Sequence, residues 1–161
     1  MPTLCMHCQQ APCVSVCPVG ATFKSPDGAT LVDQERCIGC RMCMAACPYD
    51  VRTFNWDDPL PAPNVLGKPT PEYPVPQRKG TVNVCDMCTH NTRNGELPHC
   101  VSACPNQAIY IGDLITDLAT DGKETVRLSE LLQDSDAFRY KEELNTQPRV
   151  YYIAGHGQDE S

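Results

Sequence analysis

The apolar positions of the chain fall into short runs broken by turn formers, and no stretch sustains a long helical stripe. ATFK (21–24) and ATLVD (29–33) flank Ser25-Pro26-Asp27-Gly28, whose Pro, Asp and Gly favour a turn, so a β-hairpin is predicted there. Three stretches that each begin with Cys-Pro read as strands: CPVGATFK (17–24), CPYDVRTF (47–54) and CPNQAIYI (104–111). Proline limits helix continuation and steers the chain outward. The segments ahead of them, Cys13 to Cys17, Cys43 to Cys47 and Cys100 to Cys104, are expected to be short helical turns.

Beyond Ile111, Ser129 is expected to N-cap a short helix through Leu131 and Leu132. Asp136 is expected to cap a second helix through Phe138, Tyr140 and Leu144, ending near Asn145. RVYYIA (149–154), opened by Pro148, reads as a strand. Too few apolar residues flank this tail to form a separate core, so it should wrap the rest of the chain or dock on a neighbour. Seven prolines between Pro59 and Pro76 predict extended polyproline-type chain, either a solvated linker or an arm laid across a partner.

The chain has 161 residues, room for one domain or two small ones, which argues against a multidomain enzyme with a large catalytic cavity. A formal charge of −7 with no basic run argues against nucleic acid as the principal partner. No apolar run approaches the roughly 20 residues of a membrane-spanning helix, and mean hydropathy is −0.36, so membrane contact is expected to go through another chain. No basic, apolar leader precedes Cys5, and export would be expected to depend on a signal-bearing partner. The anomaly is twelve cysteines against ten aromatic residues, which makes the cysteines the organising feature.

They form three groups of four. Cys5, Cys8, Cys13 and Cys17 are spaced C-x2-C-x4-C-x3-C; Cys37, Cys40, Cys43 and Cys47 are spaced C-x2-C-x2-C-x3-C; Cys85, Cys88, Cys100 and Cys104 are spaced C-x2-C-x11-C-x3-C. Each group is followed by proline. The second spacing is the bacterial ferredoxin run for a [4Fe-4S] cluster, whose fourth cysteine ligates the other cluster of a pair. Cross-ligation assigns one cluster to Cys5, Cys8, Cys13 and Cys47 and another to Cys37, Cys40, Cys43 and Cys17.

Zinc also takes four cysteines, but the third cysteine two residues on and the Cys-Pro endings suit a cubane better. A disulfide scaffold suits a small secreted chain, and C-x2-C pairs bridge poorly. His7, inside the first C-x2-C loop, and His99, beside Cys100, could replace a thiolate or tune a cluster, although each group already holds four cysteines. His90 and His156 carry no signal of their own. Val14, Val16, Ile38, Met42, Met44 and Ala45 are expected to shield clusters from water. No phosphate loop, Ser/His/Asp set or paired carboxylates stand out. The predicted fold is α+β, a small ferredoxin-like, pseudo-symmetric [4Fe-4S] domain with a Pro-rich insertion and an extended tail. Its parts are a dicluster unit (1–56), a Pro-rich arm (57–80), the third cysteine group (81–112) and the C-terminal tail (113–161).

The order MPTLCMHCQQAPCVSVCPVGAT, VDQERCIGCRMCMAACPYDVRTFNW, CDMCTHN and LPHCVSACPNQAI resembles the iron-sulfur subunits of the dimethyl sulfoxide reductase and polysulfide reductase superfamily, and the corresponding part of alternative complex III. The resemblance covers residues 3 to 112 strongly and QPRVYYI more weakly. It implies an electron-transfer subunit, not an enzyme by itself. Such a subunit passes single electrons between a molybdopterin catalytic subunit and a quinone-handling integral membrane subunit of the polysulfide-reductase type, from a peripheral position at the membrane. A free soluble ferredoxin-like carrier is the alternative.

Family members usually carry a fourth group, expected about fifty residues upstream. By the family's rule Cys85, Cys88 and Cys100 would take their fourth ligand from it. The third site is therefore expected to be a [4Fe-4S] cluster closed by Cys104, a [3Fe-4S] cluster, or one completed by another chain; twelve ligands over four give three clusters.

Overall fold

A computed structural model describes residues 2–58 and 77–153. The Pro-rich arm falls largely outside them, as do His156 and the end of the 149–154 run. The fold is a small mixture of single-turn helices and two- or three-residue strands. Each Cys-Pro pair is preceded by a helical turn: α1 (Pro12–Ser15), α2 (Met42–Ala45) and, in the third group, α4 (His99–Ser102), with α3 (Thr89–Thr92) following Cys88. Pro12 opens α1, where its missing N–H has no helical partner to lose.

The predicted hairpin is present. β1 (Thr22–Lys24) pairs antiparallel with β2 (Thr30–Val32), with Thr22 opposite Val32 and Lys24 opposite Thr30. Its turn closes through Gly28 N–H to Ser25 O at 2.9 Å and Ala29 N–H to Ser25 Oγ at 3.1 Å. β3 (Thr53–Phe54) pairs antiparallel with β4 (Val82–Asn83), and Gln34 ties this pair to the end of the hairpin, its Nε2 donating to Val82 O at 3.0 Å. α1 packs on both α2 and β1. Between them lies a core of Met6, Cys8, Ala11, Cys13, Cys43, Tyr49 and Val82, so thiols take places that aliphatic side chains fill elsewhere.

The distal part departs from the sequence expectations. The strand expected over 104–111 begins only at Ile111, and β5 (Ile111–Asp113), β6 (Leu118–Thr120) and β7 (Thr125–Arg127) form an antiparallel meander that was not anticipated. α5 (Leu128–Asp134) exists, but Ser129 lies inside it rather than capping it. Asp117, reaching from the β5–β6 turn, supplies the cap: its carboxylate accepts Ser129 N–H at 2.8 Å and Ser129 Oγ–H at 2.7 Å. The helix expected from Asp136 to Leu144 is replaced by an isolated bridge between Phe138 and Tyr152 and a 3-10 turn, Glu142–Leu144. Long-range pairing of Phe138 with Tyr152 outcompetes the helix. The run from Arg149 forms only that bridge among its described residues. Nearby backbone pairs instead with the N-terminal loop: Gln9 N–H to Gln147 O at 2.9 Å, Gln10 N–H to Thr146 O at 3.1 Å and Arg149 N–H to Met6 O at 2.9 Å.

The Ser129 hydrogen bonds hold the Asp117 carboxyl below its usual pKa. A depressed carboxylate stabilises the fold above its unfolded pKa and loses that contribution as pH falls through the folded one. Asp117→Ala should therefore speed amide hydrogen exchange across Leu128–Asp134 at neutral pH while leaving the β1–β2 hairpin unchanged.

Candidate iron-sulfur centres

The three C-x2-C loops share one backbone bend. The residue before the second cysteine is left-handed in each: His7 (φ 42°), Gly39 (φ 69°) and Met87 (φ 55°). Glycine adopts this conformation freely, whereas other residues lose roughly 1–2 kcal/mol. The bend aims backbone N–H groups at sulfur: His7 N–H at Cys5 and Met87 N–H at Cys85. Cys37 Sγ receives the N–H of Val82 from β4, at 3.5 Å. A Cβ on Gly39 would run into the Gly80 carbonyl oxygen, so this loop has glycine for space as well as for torsion.

A second bend follows each Cys-Pro. Gly20, Asp50 and Gln107 have positive φ, and each donates its N–H to the carbonyl of the cysteine three residues back, at 3.3, 3.3 and 3.2 Å. This turns the chain around the sulfur. For Cys17, burial pushes the pKa up, but N–H groups of Thr22, Val19 and Ala21 outweigh it and leave the thiol below its usual value. Cys104 Sγ accepts Ala108 N–H at 3.3 Å, the same offset as Ala21 from Cys17.

Cys17, from the first segment, lines one cavity together with Cys37, Cys40 and Cys43 from the second. Val19, Ala21, Thr22, Ile38, Arg41 and Val82 complete its walls. Reciprocally, Cys47 is close enough to Cys13 for their charges to interact, as is Cys8, and Cys5 interacts with Cys13 in the same way. Cys85, Cys88 and Cys100 form a third neighbourhood, and Cys5 is close enough to Cys85 for their charges to interact. All twelve thiols are free of disulfides. Among the described residues no three His, Cys, Asp or Glu side chains are grouped to hold one metal ion.

Electrostatics test whether these sets suit a cluster. Burial pushes the Cys5 thiol up to about 12, against the pull of His7 N–H and Arg52, and burial also raises Cys13. Uncoordinated, both would be neutral. Yet Arg52 is buried beside them, 3 % exposed, its Nη2 donating to Cys13 Sγ at 3.2 Å, and no carboxylate is paired with it among the described residues. Lys24 Nζ, half-buried, donates to the carbonyls of His7 at 3.1 Å, Cys8 at 2.7 Å and Gly28 at 2.8 Å. Metal coordination deprotonates thiols outright. The donor set and the buried cations fit anionic iron-sulfur clusters.

The histidines do other work. His7 Nδ1 accepts Thr30 N–H at 3.0 Å, and burial, with Lys24, Arg149 and Arg52 nearby, lowers its pKa to about 4. His99 Nε2 lies 3.4 Å from Asn91 Nδ2. Val14, Val16 and Met44 pack against the thiol-bearing core and Ile38, though 64 % exposed, lines the cavity with Cys17, Cys37, Cys40 and Cys43; Ala45 and Met42, both exposed, do not form part of the expected shield. Arg52 and Lys24 were missed in the sequence. The available signal was a lone basic residue in each strand-like run beside a cysteine group, a polar residue on a segment too short to have a solvent face of its own.

The model of the 4Fe-4S dicluster domain matches residues 1–60 and 69–114. The chain is a member of this family. It is 42 % identical over 154 residues to a putative dimethyl sulfoxide reductase iron-sulfur subunit of Halobacterium salinarum, covering 96 % of this chain and 55 % of that one. It is 39 % identical over 184 residues to the arsenate respiratory reductase iron-sulfur subunit of a Shewanella species, covering 98 % and 76 %. With the iron-sulfur cluster-binding subunit of menaquinone reductase from Nitratidesulfovibrio vulgaris it shares 39 % over 174 residues, 96 % and 65 %. The chain thus belongs with reductase iron-sulfur subunits, and it spans about half the length of the first relatives it matches.

Gly39→Ala should cost the protein the centre at the Cys37 loop, because neither the torsion nor the Gly80 carbonyl accommodates a methyl group. Bound iron should fall by about four per chain, the content of one [4Fe-4S] cluster. Undiminished iron would refute that role for the glycine.

Proposed function

We propose that this chain is the electron-transfer subunit of a membrane-associated oxidoreductase complex and catalyses no reaction alone. One [4Fe-4S] cluster takes Cys5, Cys8, Cys13 and Cys47; a second takes Cys37, Cys40, Cys43 and Cys17; a third takes Cys85, Cys88 and Cys100 and is closed by Cys104. When bound, such clusters accept and release single electrons at potentials spanning roughly −700 to +450 mV in proteins. The chain's own contribution is to hold the sulfurs, aim N–H groups at them and keep positive charge beside them.

The cavity that Cys17 shares with Cys37, Cys40 and Cys43 carries this reading, since cross-ligation needs sulfurs from two segments around one space. The repeated bends support a ferredoxin-like, pseudo-symmetric arrangement. The hydrogen bond of Arg52 to Cys13, and the proximity at which charges interact between Arg52 and Cys43 and between Cys5 and Cys85, support a row in which the second, first and third centres adjoin. Iron and acid-labile sulfide counting on anaerobically purified chain should give about twelve of each. About eight would exclude a stable third cluster, and none would overturn the reading.

The partners are a molybdopterin-type catalytic subunit and an integral membrane quinone subunit of the polysulfide-reductase type, in keeping with relatives named as subunits of dimethyl sulfoxide, arsenate and menaquinone reductases. No helix among the described residues is long and apolar enough to cross a membrane, which suits a peripheral position. Large exposed apolar side chains, Ile115 at 93 % and Trp56 at 66 %, suit a chain that docks on others. The formal charge of −7 grows more negative with clusters bound, so the partner face should be basic. Assembly should weaken as salt rises from 0.05 to about 0.5 M, as measured by analytical ultracentrifugation; salt-independent assembly would refute the basic face.

A further inference from the structure

Two thiol sets meet on one side chain. Arg52 lies five residues beyond Cys47, immediately before β3, and is almost fully buried. Its Nη2 donates to Cys13 Sγ at 3.2 Å and its Nη1 to Thr22 Oγ1 at 3.2 Å. The charge of the same guanidinium reaches Cys43 and Cys5. Cys13 and Cys5 belong to the first proposed ligand set and Cys43 to the second, while Thr22 lines the cavity of the second. Arg52 therefore stands in the wall between the two centres. A planar guanidinium presents several N–H groups in a fixed fork and can hold two acceptors at once, whereas a lysine ammonium is a point charge on a flexible stem.

We propose that Arg52 is a positioning residue shared by the two [4Fe-4S] centres, holding the Cys13 sulfur of the first and Thr22 in the wall of the second, and raising both reduction potentials together. The inference rests on the ligand sets proposed above. Reduction of a centre adds one electron and therefore one negative charge, and it makes or breaks no bond in the chain. A fixed positive charge a few ångströms away in a dry wall favours that reduced form. Because one cation faces both centres, it moves both potentials in the same direction. When one electron leaves one centre and enters the other, the first is oxidised, the second reduced and Arg52 stays protonated throughout. The driving force of that internal step is nearly untouched by Arg52, while the driving force for exchange with outside partners is not.

Electrochemical titration followed by paramagnetic resonance on the full cluster-loaded chain tests this with Arg52→Gln and Arg52→Lys. Arg52→Gln, which keeps an N–H donor and loses the charge, should lower the one-electron reduction constant of both centres at least tenfold, 59 mV each. The gap between the two potentials should change by less than that. Arg52→Lys should restore both centres to within tenfold of wild type, a recovery that a purely structural role does not predict. Unchanged potentials in Arg52→Gln, a shift confined to one centre, or equal shifts in both variants would overturn the inference. If Arg52→Gln fails to retain both clusters, the lysine variant decides: full iron content with near-wild-type potentials supports the shared charge, and loss of clusters there too refutes it. Failure of the ligand reading itself is distinguishable, because the wild-type chain would then hold no clusters before any variant is titrated.

Discussion

A guanidinium buried without a carboxylate is tolerable only beside some other negative charge, and around Arg52 that charge has to come from sulfur. The free thiols cannot supply it, since burial pushes Cys5 up to about 12 and raises Cys13 as well. Iron coordination reverses the balance by taking the thiol protons. Left uncompensated, a buried ion loses several kcal/mol, a large share of the stability of any small domain. Lys24 and Arg149 add positive charge on the same side, near His7 and the Cys5–Cys8 loop. The interior is thus complementary to a loaded protein, and cluster binding and folding are one linked equilibrium.

That linkage explains the backbone. His7 and Met87 occupy a region that glycine prefers, and Asp50 and Gln107 do the same after the Cys-Pro pairs. Strain of this kind persists where surroundings over-determine the conformation. Here the surroundings are sulfur acceptors, to which the bent loops turn their amides. Single-turn helices are equally telling. A four-residue helix has almost no stability alone, so α1, α2 and α4 owe their existence to packing around the cysteines they carry.

What the sequence made legible divides along the same line. Cysteine spacing and the Cys-Pro endings located the helical turn ahead of each Cys-Pro pair, though not α3 after Cys88, and Pro26-Asp27-Gly28 located the hairpin, because local torsions decide both. Long-range partners decided the rest. Ser129 looks like an N-cap until Asp117, twelve residues earlier, provides the acceptor. Phe138 looks helical until Tyr152 pairs with it. The β5–β7 meander has three-residue strands, below the length at which alternation can be read, although Asp121-Gly122 was a usable turn signal: the Asp121 carboxylate accepts the N–H groups of Lys123 and Glu124. Met42 and Ala45 illustrate a different limit. Cysteine neighbours are easily placed in sequence, but which face of a four-residue turn looks outward depends on the packing of α1 against α2.

The charges are layered, and the layers answer to different variables. Of thirteen Lys and Arg residues, Arg52 and Lys24 face inward, and Lys141 reaches the Pro48 carbonyl at 2.6 Å beside the Cys47 turn. The carboxylates near them in sequence, Asp27, Asp33 and Asp57, remain at or near the surface. Cations drawn inward leave the outer surface more acidic than the formal charge implies. Mobile ions screen exposed charges over about 10 Å at 0.1 M salt but reach buried pairs far less. Ionic strength therefore acts on association through the outer layer, whereas the field at the sulfurs is set by the fixed inner layer and changes only when a residue there does.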